Sequence, residues 1–126
     1  MRFLLDTHLL LWLLAEPGRV PAPVRQLISG ARSEAYFSLA SIWEVAIKRS
    51  IGRLGIGART VADHLEDHGF RRLDLRVEHL DALESLPWLH RDPFDRMLVA
   101  QSRVEPMTLL TVDRRLAAYG TTVRVV

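Results

Sequence analysis

The chain of 126 residues contains no cysteine. Disulfide bonds and thiolate metal sites are therefore excluded, and the absence fits a reducing compartment. No uncharged apolar run approaches the roughly 20 residues of a membrane-spanning helix. The N-terminal residues also lack the basic region and the cleavage site of a signal peptide. We therefore expect a cytoplasmic protein with no membrane partner.

Basic and acidic residues are nearly balanced, since 17 basic and 15 acidic residues give a net charge of only +2. This excess is too small to argue for a nucleic-acid partner by itself. Lys48 is the only lysine, and the other formal cations are arginines. Arginine binds phosphate bidentately and stacks on bases, but codon usage in a GC-rich genome explains the bias more simply. The length fits a single domain, residues 1–126, and an apolar fraction of 48% is enough for a core.

Several common active-site motifs are missing from the sequence. There is no Walker A motif, no G-x-G-x-x-G and no G-x-S-x-G. Asp6-Thr7-His8 lacks the second aspartate of the D-x-D phosphatases. His64 and His68 are one helical turn apart, but Glu66 is at the wrong position for a zinc-protease motif, so we expect an exposed helix face.

Short apolar segments alternate with helical patterns along the chain. We predict strands at Arg2–Leu5, Ala35–Leu39, Arg71–Leu75, Met107–Val112 and Thr122–Val126. We predict helices at His8–Ala15, Pro21–Arg32, Ser41–Ile51, Val61–His68, Val77–Leu86, Pro93–Val104 and Arg114–Tyr119. This alternation predicts an α/β fold whose central, mostly parallel sheet of four to five strands is covered on both faces.

Four acidic residues lie where predicted strands end or predicted helices begin: Asp6, Glu44, Asp95 and Asp113. The carboxyl ends of parallel strands meet at one edge of a sheet, where ligands of such folds bind. Carboxylates that converge there raise each other's pKa unless a cation lies between them. Oxygen ligands of this kind suit Mg²⁺. The pattern therefore predicts a divalent-metal site.

Helix capping is the competing explanation for each acid. Ser41-Ile42-Trp43-Glu44 fits a capping box, and Asp92 fits an N-cap that is followed by proline and by Asp95 at the third position. Singly, each acid is explained as well by capping as by a metal site. Asparagine caps a helix about as well as aspartate but is a poorer Mg²⁺ ligand. We therefore predict that Asp6→Asn and Asp95→Asn keep the fold and abolish a metal-dependent activity.

The aromatic and histidine residues give weaker signals. Trp12 and Trp43 lie in apolar helices, so we predict that both pack in the core. Trp88 follows a proline in a predicted loop and is the one tryptophan that we consider for substrate contact. His8 and His90 are within reach of the acidic edge, although single histidines more often serve packing.

Four stretches of the chain resemble the PIN-domain family, specifically the VapC-type toxins of bacterial toxin–antitoxin pairs. These stretches are Leu4–Trp12, Ser38–Glu44, Asp92–Gln101 and Leu110–Asp113. They span nearly the whole chain, and their order and separations are similar to those of the family. Each stretch alone is weak evidence for the family, whereas the four stretches together are specific to it.

The resemblance implies a PIN-like three-layer α/β/α sandwich and a metal-dependent endoribonuclease that hydrolyses RNA with a metal-activated water. The implied ligands of Mg²⁺ or Mn²⁺ are Asp6, Glu44, Asp95 and Asp113. The candidate supporting residues are Thr7, Thr111 and Asp92. Some members carry a further acid two positions after the last one, where this chain has Arg115, so a fifth ligand is not expected there.

The resemblance also implies partners. These are an RNA substrate, a VapB-like antitoxin that covers an apolar and acidic groove, and a second copy of the chain in a homodimer. Two alternatives remain open from the sequence. One is a metal-dependent phosphohydrolase of small phosphate esters, and the other is a non-catalytic RNA- or protein-binding module whose acids are only caps.

Overall fold

The structure is a computed structural model that describes residues 1–126. Its strands are β1 (Arg2–Leu5), β2 (Glu34–Ser38), β3 (Arg71–Leu73), β4 (Thr108–Thr111) and β5 (Val123–Val125). Its α-helices are α1 (Thr7–Ala15), α2 (Ala22–Ile28), α3 (Leu39–Ser50), α4 (Ala58–Asp67), α5 (Val77–Glu84) and α6 (Pro93–Val104). Two 3₁₀ segments cover Pro17–Arg19 and Arg114–Tyr119.

All five strands form one parallel sheet in the order β3-β2-β1-β4-β5. This confirms the predicted parallel sheet. The chain leaves the central strand β1 toward β2 on one side and returns to β4 on the other, so β1 and β4 flank the switch point where ligands bind in such sheets. Leu5 pairs with Leu110 in the β1–β4 register. This register brings the residues that follow both strands to the same edge.

The two faces of the sheet carry separate apolar layers, as the alternation of side chains along a strand requires. Phe3 and Leu5 of β1 pack with α1, α2, α3 and α4, through buried residues such as Leu9, Val24 and Leu65. Leu4 faces the other way and packs with Leu98, Val99, Leu109 and Leu116, which come from α6, β4 and the second 3₁₀ segment. The result is the expected three-layer α/β/α sandwich.

The start of α3 differs from the predicted capping box. The N-cap is Ser38, whose Oγ accepts a hydrogen bond from the backbone N–H of Ala40 at 3.0 Å. Ser41 instead lies inside the helix, buried, and its Oγ accepts a hydrogen bond from Thr7 Oγ1 at 2.9 Å. The capping-box prediction for Ser41 and Glu44 is therefore wrong, because the helix begins directly at the end of β2.

The tryptophan predictions are wrong for Trp43 and incomplete for Trp12. Trp43 is 58% exposed because α3 buries Ala40, Ser41, Glu44 and Val45 on its inner face. Its ring contacts Phe94 edge-on, with 5.2 Å between the ring centroids. Trp12 packs partly against the core, as expected, but it also lines a surface cleft.

No helix of the chain has both the length and the apolar character needed to cross a membrane.

Candidate metal centre

Asp6 lies between β1 and α1, where it is both a buried carboxylate and a helix cap. Its Oδ1 accepts a hydrogen bond from the backbone N–H of Leu9 at 2.9 Å. Its Oδ2 accepts from Thr111 Oγ1 at 2.6 Å and from the N–H of Val112 at 3.1 Å. Burial raises the pKa of Asp6, although these hydrogen bonds act to lower it. The predicted cap is confirmed, and Oδ1 keeps acceptor capacity for a further ligand.

Thr111 connects Asp6 with Asp113. Its buried hydroxyl donates to Asp6 and accepts a hydrogen bond from the N–H of Asp113 at 3.0 Å. Asp113 in turn caps the 3₁₀ segment that follows, because its Oδ1 accepts from the N–H of Arg115 at 3.0 Å. One threonine at the end of β4 therefore fixes two of the four predicted acids.

Asp113 is held by two cationic or polar neighbours. Arg115 donates to it through Nε at 3.1 Å and through Nη2 at 3.0 Å. His90 Nε2 lies 2.9 Å from Asp113 Oδ2. The hydrogen bonds from Arg115 first, and from His90 second, hold the pKa of Asp113 well below its usual range. Asp113 is therefore ionised at neutral pH.

His90 lies closer to the acidic residues than the sequence predicts, and it contacts Asp113 directly. Its Nδ1 accepts a hydrogen bond from the N–H of Asp92 at 3.0 Å, which assigns the proton of the neutral ring to Nε2. Nε2 therefore donates to Asp113, and it lies 3.9 Å from Asp95 Oδ2. One ligand atom each from His90, Asp95 and Asp113 falls within 4.8 Å of the others. With Nε2 protonated, however, His90 orients Asp113 and offers no lone pair to an ion.

Asp95 is the third residue of α6, and its surroundings differ from those of a plain helix cap. The cap is Asp92, as predicted, whose Oδ1 accepts from the N–H groups of Phe94 at 2.8 Å and Asp95 at 3.1 Å. The pKa of Asp95 is raised to about 7 by burial first and then by the charges of nearby acids. These acids are Asp92, Asp6, Glu44 and Asp113. The structure therefore brings the other three predicted ligands close enough to Asp95 to raise its pKa.

Glu44 reaches the group from the buried face of α3. It forms an ion pair with Lys48, one helical turn later, at 2.9 Å. Glu44 does not line the cleft that Asp6, Asp95 and Asp113 share, but its charge raises the pKa of Asp95. Lys48, the only lysine of the chain, therefore pairs with the one predicted ligand that does not line this cleft.

Asp6, Asp95 and Asp113 line an open cleft of about 390 Å³ whose walls are not acidic throughout. The cleft is also lined by His8, Trp12, Arg19 and Arg115. The guanidinium of Arg19 lies over the Trp12 ring, 4.4 Å from its centroid, and pairs with Glu16 at 2.9 Å. Cationic and aromatic groups therefore surround the carboxylates.

One family model matches nearly the whole chain. The family model described as the PIN domain matches residues 3–121. The chain belongs to the PIN domain family. A comparison with curated protein sequences gives no significant match.

Solved structures share the fold of this PIN domain at low sequence identity. VapBC2 from Rickettsia felis, bound to a DNA fragment from their promoter, is 12% identical with a TM-score of 0.73, and the match covers 99% of this chain and 97% of that one. VapBC-1 from nontypeable Haemophilus influenzae is 13% identical with a TM-score of 0.68, covering 99% and 98%. FitAcB from Neisseria gonorrhoeae is 20% identical with a TM-score of 0.65, covering 96% and 95%.

The donor set of this PIN domain fits a hard divalent cation. Asp6, Glu44, Asp95 and Asp113 offer only oxygen ligands, which Mg²⁺ and Mn²⁺ prefer. Such an ion would offset the repulsion by the other acids that helps to raise the pKa of Asp95. Thr7, predicted as a supporting residue, forms no side-chain hydrogen bond with a carboxylate. Its hydroxyl bonds Ser41 and so ties α1 to α3 beside Glu44.

Thr111→Val is expected to destabilise the PIN domain by about 1–3 kcal/mol, because the change leaves the N–H of Asp113 without its partner and removes one donor from Asp6. Urea denaturation of both proteins measures the difference. Thr111→Ser, which keeps the hydroxyl, is the matched control and should retain most of the stability. Equal stability of the valine and serine variants would show that the hydroxyl bridge contributes nothing.

Proposed function

We propose that this PIN domain is a Mg²⁺-dependent endoribonuclease and the toxin of a toxin–antitoxin pair. The observation that carries the proposal is that Asp6, Asp95 and Asp113 share one cleft at the carboxyl edge of β1 and β4, with Glu44 near enough to help raise the pKa of Asp95 to about 7. Membership of the PIN domain family supports the nuclease role. The structures of similar fold include a toxin–antitoxin complex from Klebsiella pneumoniae and the VapBC complexes, which supports the toxin role.

Asp6, Glu44, Asp95 and Asp113 are the residues that we assign to metal binding. Bound Mg²⁺ supplies neutralisation of charge on the phosphodiester and lowers the pKa of water in the cleft. The protein holds the ligands in place beforehand. Thr111 fixes Asp6 and Asp113 relative to each other, and His90 and Arg115 fix the orientation of Asp113. Preorganisation of this kind is what a catalytic carboxylate group needs.

RNA is the substrate that the cleft's surroundings favour. A phosphate backbone that approaches carboxylates needs cations beside them, and Arg19 and Arg115 line the same cleft. Two arginines can contact more than one phosphate of one strand. A small phosphate ester offers only one phosphate group and would use fewer of these contacts.

Sequencing RNA ends after induced expression of the wild type and of Asp95→Asn tests the proposal. New internal ends should appear with the wild type and be absent with the variant. The purified protein should also cut RNA only with Mg²⁺ present and leave a small chromogenic phosphate intact. Hydrolysis of the chromogenic phosphate without RNA cleavage would favour the phosphohydrolase. No metal-dependent hydrolysis of either substrate would favour the binding module.

An apolar groove beside the metal centre suits the antitoxin. The groove has a volume of about 260 Å³ and lies between α3, α5 and the start of α6. It is lined by Ala40, Trp43, Leu75, Leu80, Leu83, Pro93, Phe94 and Met97. Trp43 precedes Glu44 and Phe94 precedes Asp95, so a segment bound in the groove lies within reach of the carboxylates. We also propose a homodimer, for which the exposed Ile47 of α3 and Ile51 just after the helix supply apolar surface.

Leu80→Glu is expected to weaken antitoxin binding at least about a hundredfold, because it buries an unpaired charge in the groove. RNA cleavage should stay unchanged, since Leu80 lies outside the carboxylate cleft. Titration calorimetry with the antitoxin from the neighbouring gene measures the affinity. Val77→Glu is the matched control, because Val77 lies on the same helix, is 77% exposed and does not line the groove. Similar affinities of the two variants would place the antitoxin elsewhere.

A further inference from the structure

Trp88 is a large aromatic side chain that the protein holds in an exposed position. It lies between α5 and α6 and is 78% exposed. The guanidinium of Arg96 backs one face of its ring, 3.8 Å from the centroid. Arg96 is itself buried and donates hydrogen bonds to the Leu86 carbonyl at 2.9 Å and to Tyr119 Oη at 3.4 Å. The other face of the indole therefore points to solvent from a fixed support.

The backbone on both sides of Trp88 is fixed as well. Tyr119 Oη donates to the carbonyl of Pro87 at 2.8 Å and accepts from the N–H of Leu89 at 3.1 Å. A single phenol thus clamps the residue before and the residue after the tryptophan. An aromatic ring held in this way loses little conformational freedom when a flat ligand stacks on it.

A charged cavity continues from this loop to the metal centre. It has a volume of about 440 Å³ and is lined by Leu89, His90, Arg91, Asp92 and Arg115. Asp92 and Arg115 also line the carboxylate cleft, so the two hollows adjoin. Arg91 follows Trp88 by three residues in the same loop, and Arg115 lines both hollows.

We propose that Trp88, Arg91 and Arg115 form a nucleotide-binding subsite for single-stranded RNA. An unpaired base stacks on the open face of Trp88, and the two arginines bind the phosphates between that base and the bond that is cut. The inference rests on the proposed ribonuclease function. An aromatic platform beside arginines is the combination that binds single-stranded nucleic acid with tolerance of base identity. A peptide partner would need an apolar surface, whereas Leu89 is the only apolar residue that lines the cavity.

Trp88 could instead have only a structural role, in which its ring shields the Arg96 guanidinium from water. Two substitutions distinguish this structural role from base stacking. Trp88→Leu keeps an apolar cover but removes the aromatic face, whereas Trp88→Phe keeps both. Both variants are built with Asp95→Asn, which prevents cleavage, and titrated with a fluorescently labelled single-stranded RNA. Trp88→Leu should weaken binding roughly ten- to hundredfold. Trp88→Phe should stay within a few-fold, with equal unfolding temperatures for the two. Equal affinities of the two variants would overturn the subsite.

A scan with abasic residues tests the stacking itself. Removing one base at a time from the RNA should weaken binding at a single position when Trp88 is present. That position should lose its effect in Trp88→Leu. An effect that persists in Trp88→Leu would overturn the assignment of the base to this ring. Loss of antitoxin affinity instead of RNA affinity in Trp88→Leu would identify a protein contact and also overturn it.

The subsite and the proposed function fail in different ways. If the wild-type protein cuts RNA and Trp88→Leu binds RNA as well as Trp88→Phe does, the subsite is wrong and the ribonuclease stands. If binding depends on Trp88 but the wild-type protein never cuts RNA with Mg²⁺, the subsite stands and the catalytic proposal is wrong.

Discussion

Asp95→Asn is expected to abolish RNA cleavage and leave a folded protein that is more stable than the wild type at pH 8. The loss of activity should be on the order of a thousandfold or more, because a metal ligand supports several kcal/mol of transition-state stabilisation. The fold should survive because Asp92, and not the side chain of Asp95, caps α6. Cleavage assays and urea denaturation of the same two preparations measure both effects.

The gain in stability follows from the sign of the pKa shift. The pKa of Asp95 rises from 3.8 to about 7 on folding, because of burial and of repulsion by its acidic neighbours. Without metal, the cost is absent below about pH 4, grows as the pH rises through the interval between the two values, and is complete above about pH 7. Its size is roughly 2–4 kcal/mol. Asparagine carries no charge, so the advantage of the variant should grow from pH 5 to pH 8.

Two results would contradict this account. Full RNA cleavage by Asp95→Asn would show that Asp95 is not a required metal ligand. A variant that is less stable than the wild type at pH 8 would show that ionisation of Asp95 does not destabilise the folded state. The conservative control is Asp63→Asn on α4, because Asp63 is exposed and its only ion pair, with Arg59, spans 4.0 Å. It should change neither activity nor stability.

Asp6→Asn is a less clean test, although the sequence alone treats the two positions alike. Both oxygens of Asp6 accept hydrogen bonds, from Leu9 on one side and from Thr111 and Val112 on the other. Asparagine would turn an N–H₂ group toward one of these donors, at a cost of about 1–3 kcal/mol. Inactivity of this variant would therefore mix loss of a ligand with loss of stability.

This difference shows what could be predicted from the sequence. The pattern of apolar segments placed β1 and β4 correctly, and the parallel-sheet rule then brought Asp6 and Asp113 to one edge. The sequence could not show the Asp6–Thr111 hydrogen bond, whose partners are 105 residues apart. The sequence also could not show that His90 donates to Asp113, because this hydrogen bond depends on how the loop between α5 and α6 packs. It could not show that Trp43 faces solvent, because the exposure of Trp43 depends on which face of α3 packs against the sheet.

Mg²⁺ affinity is expected to rise about tenfold between pH 6 and pH 8, with about half of that rise in affinity left above pH 7, and to level off above about pH 8. The reason is that a proton on Asp95 competes with the ion below its pKa of about 7. Burial raises the pKa of Asp6 as well, which adds to the slope in the same direction. The pKa of Asp113 lies well below this window, so Asp113 does not contribute. Titration calorimetry in buffers of different ionisation enthalpy measures both the affinity and the protons released.

The stability of the protein supplies a further readout of the same competition. Without metal, stability falls as the pH rises from 4 to 7, because Asp95 is forced to ionise beside other acids. With Mg²⁺ well above its dissociation constant, the ion binds more tightly as the pH rises and stabilises the folded state accordingly. The two curves should therefore diverge with increasing pH, and Asp95→Asn should remove most of the divergence. If the four acids served only as helix caps, Mg²⁺ would leave the dependence of stability on pH unchanged.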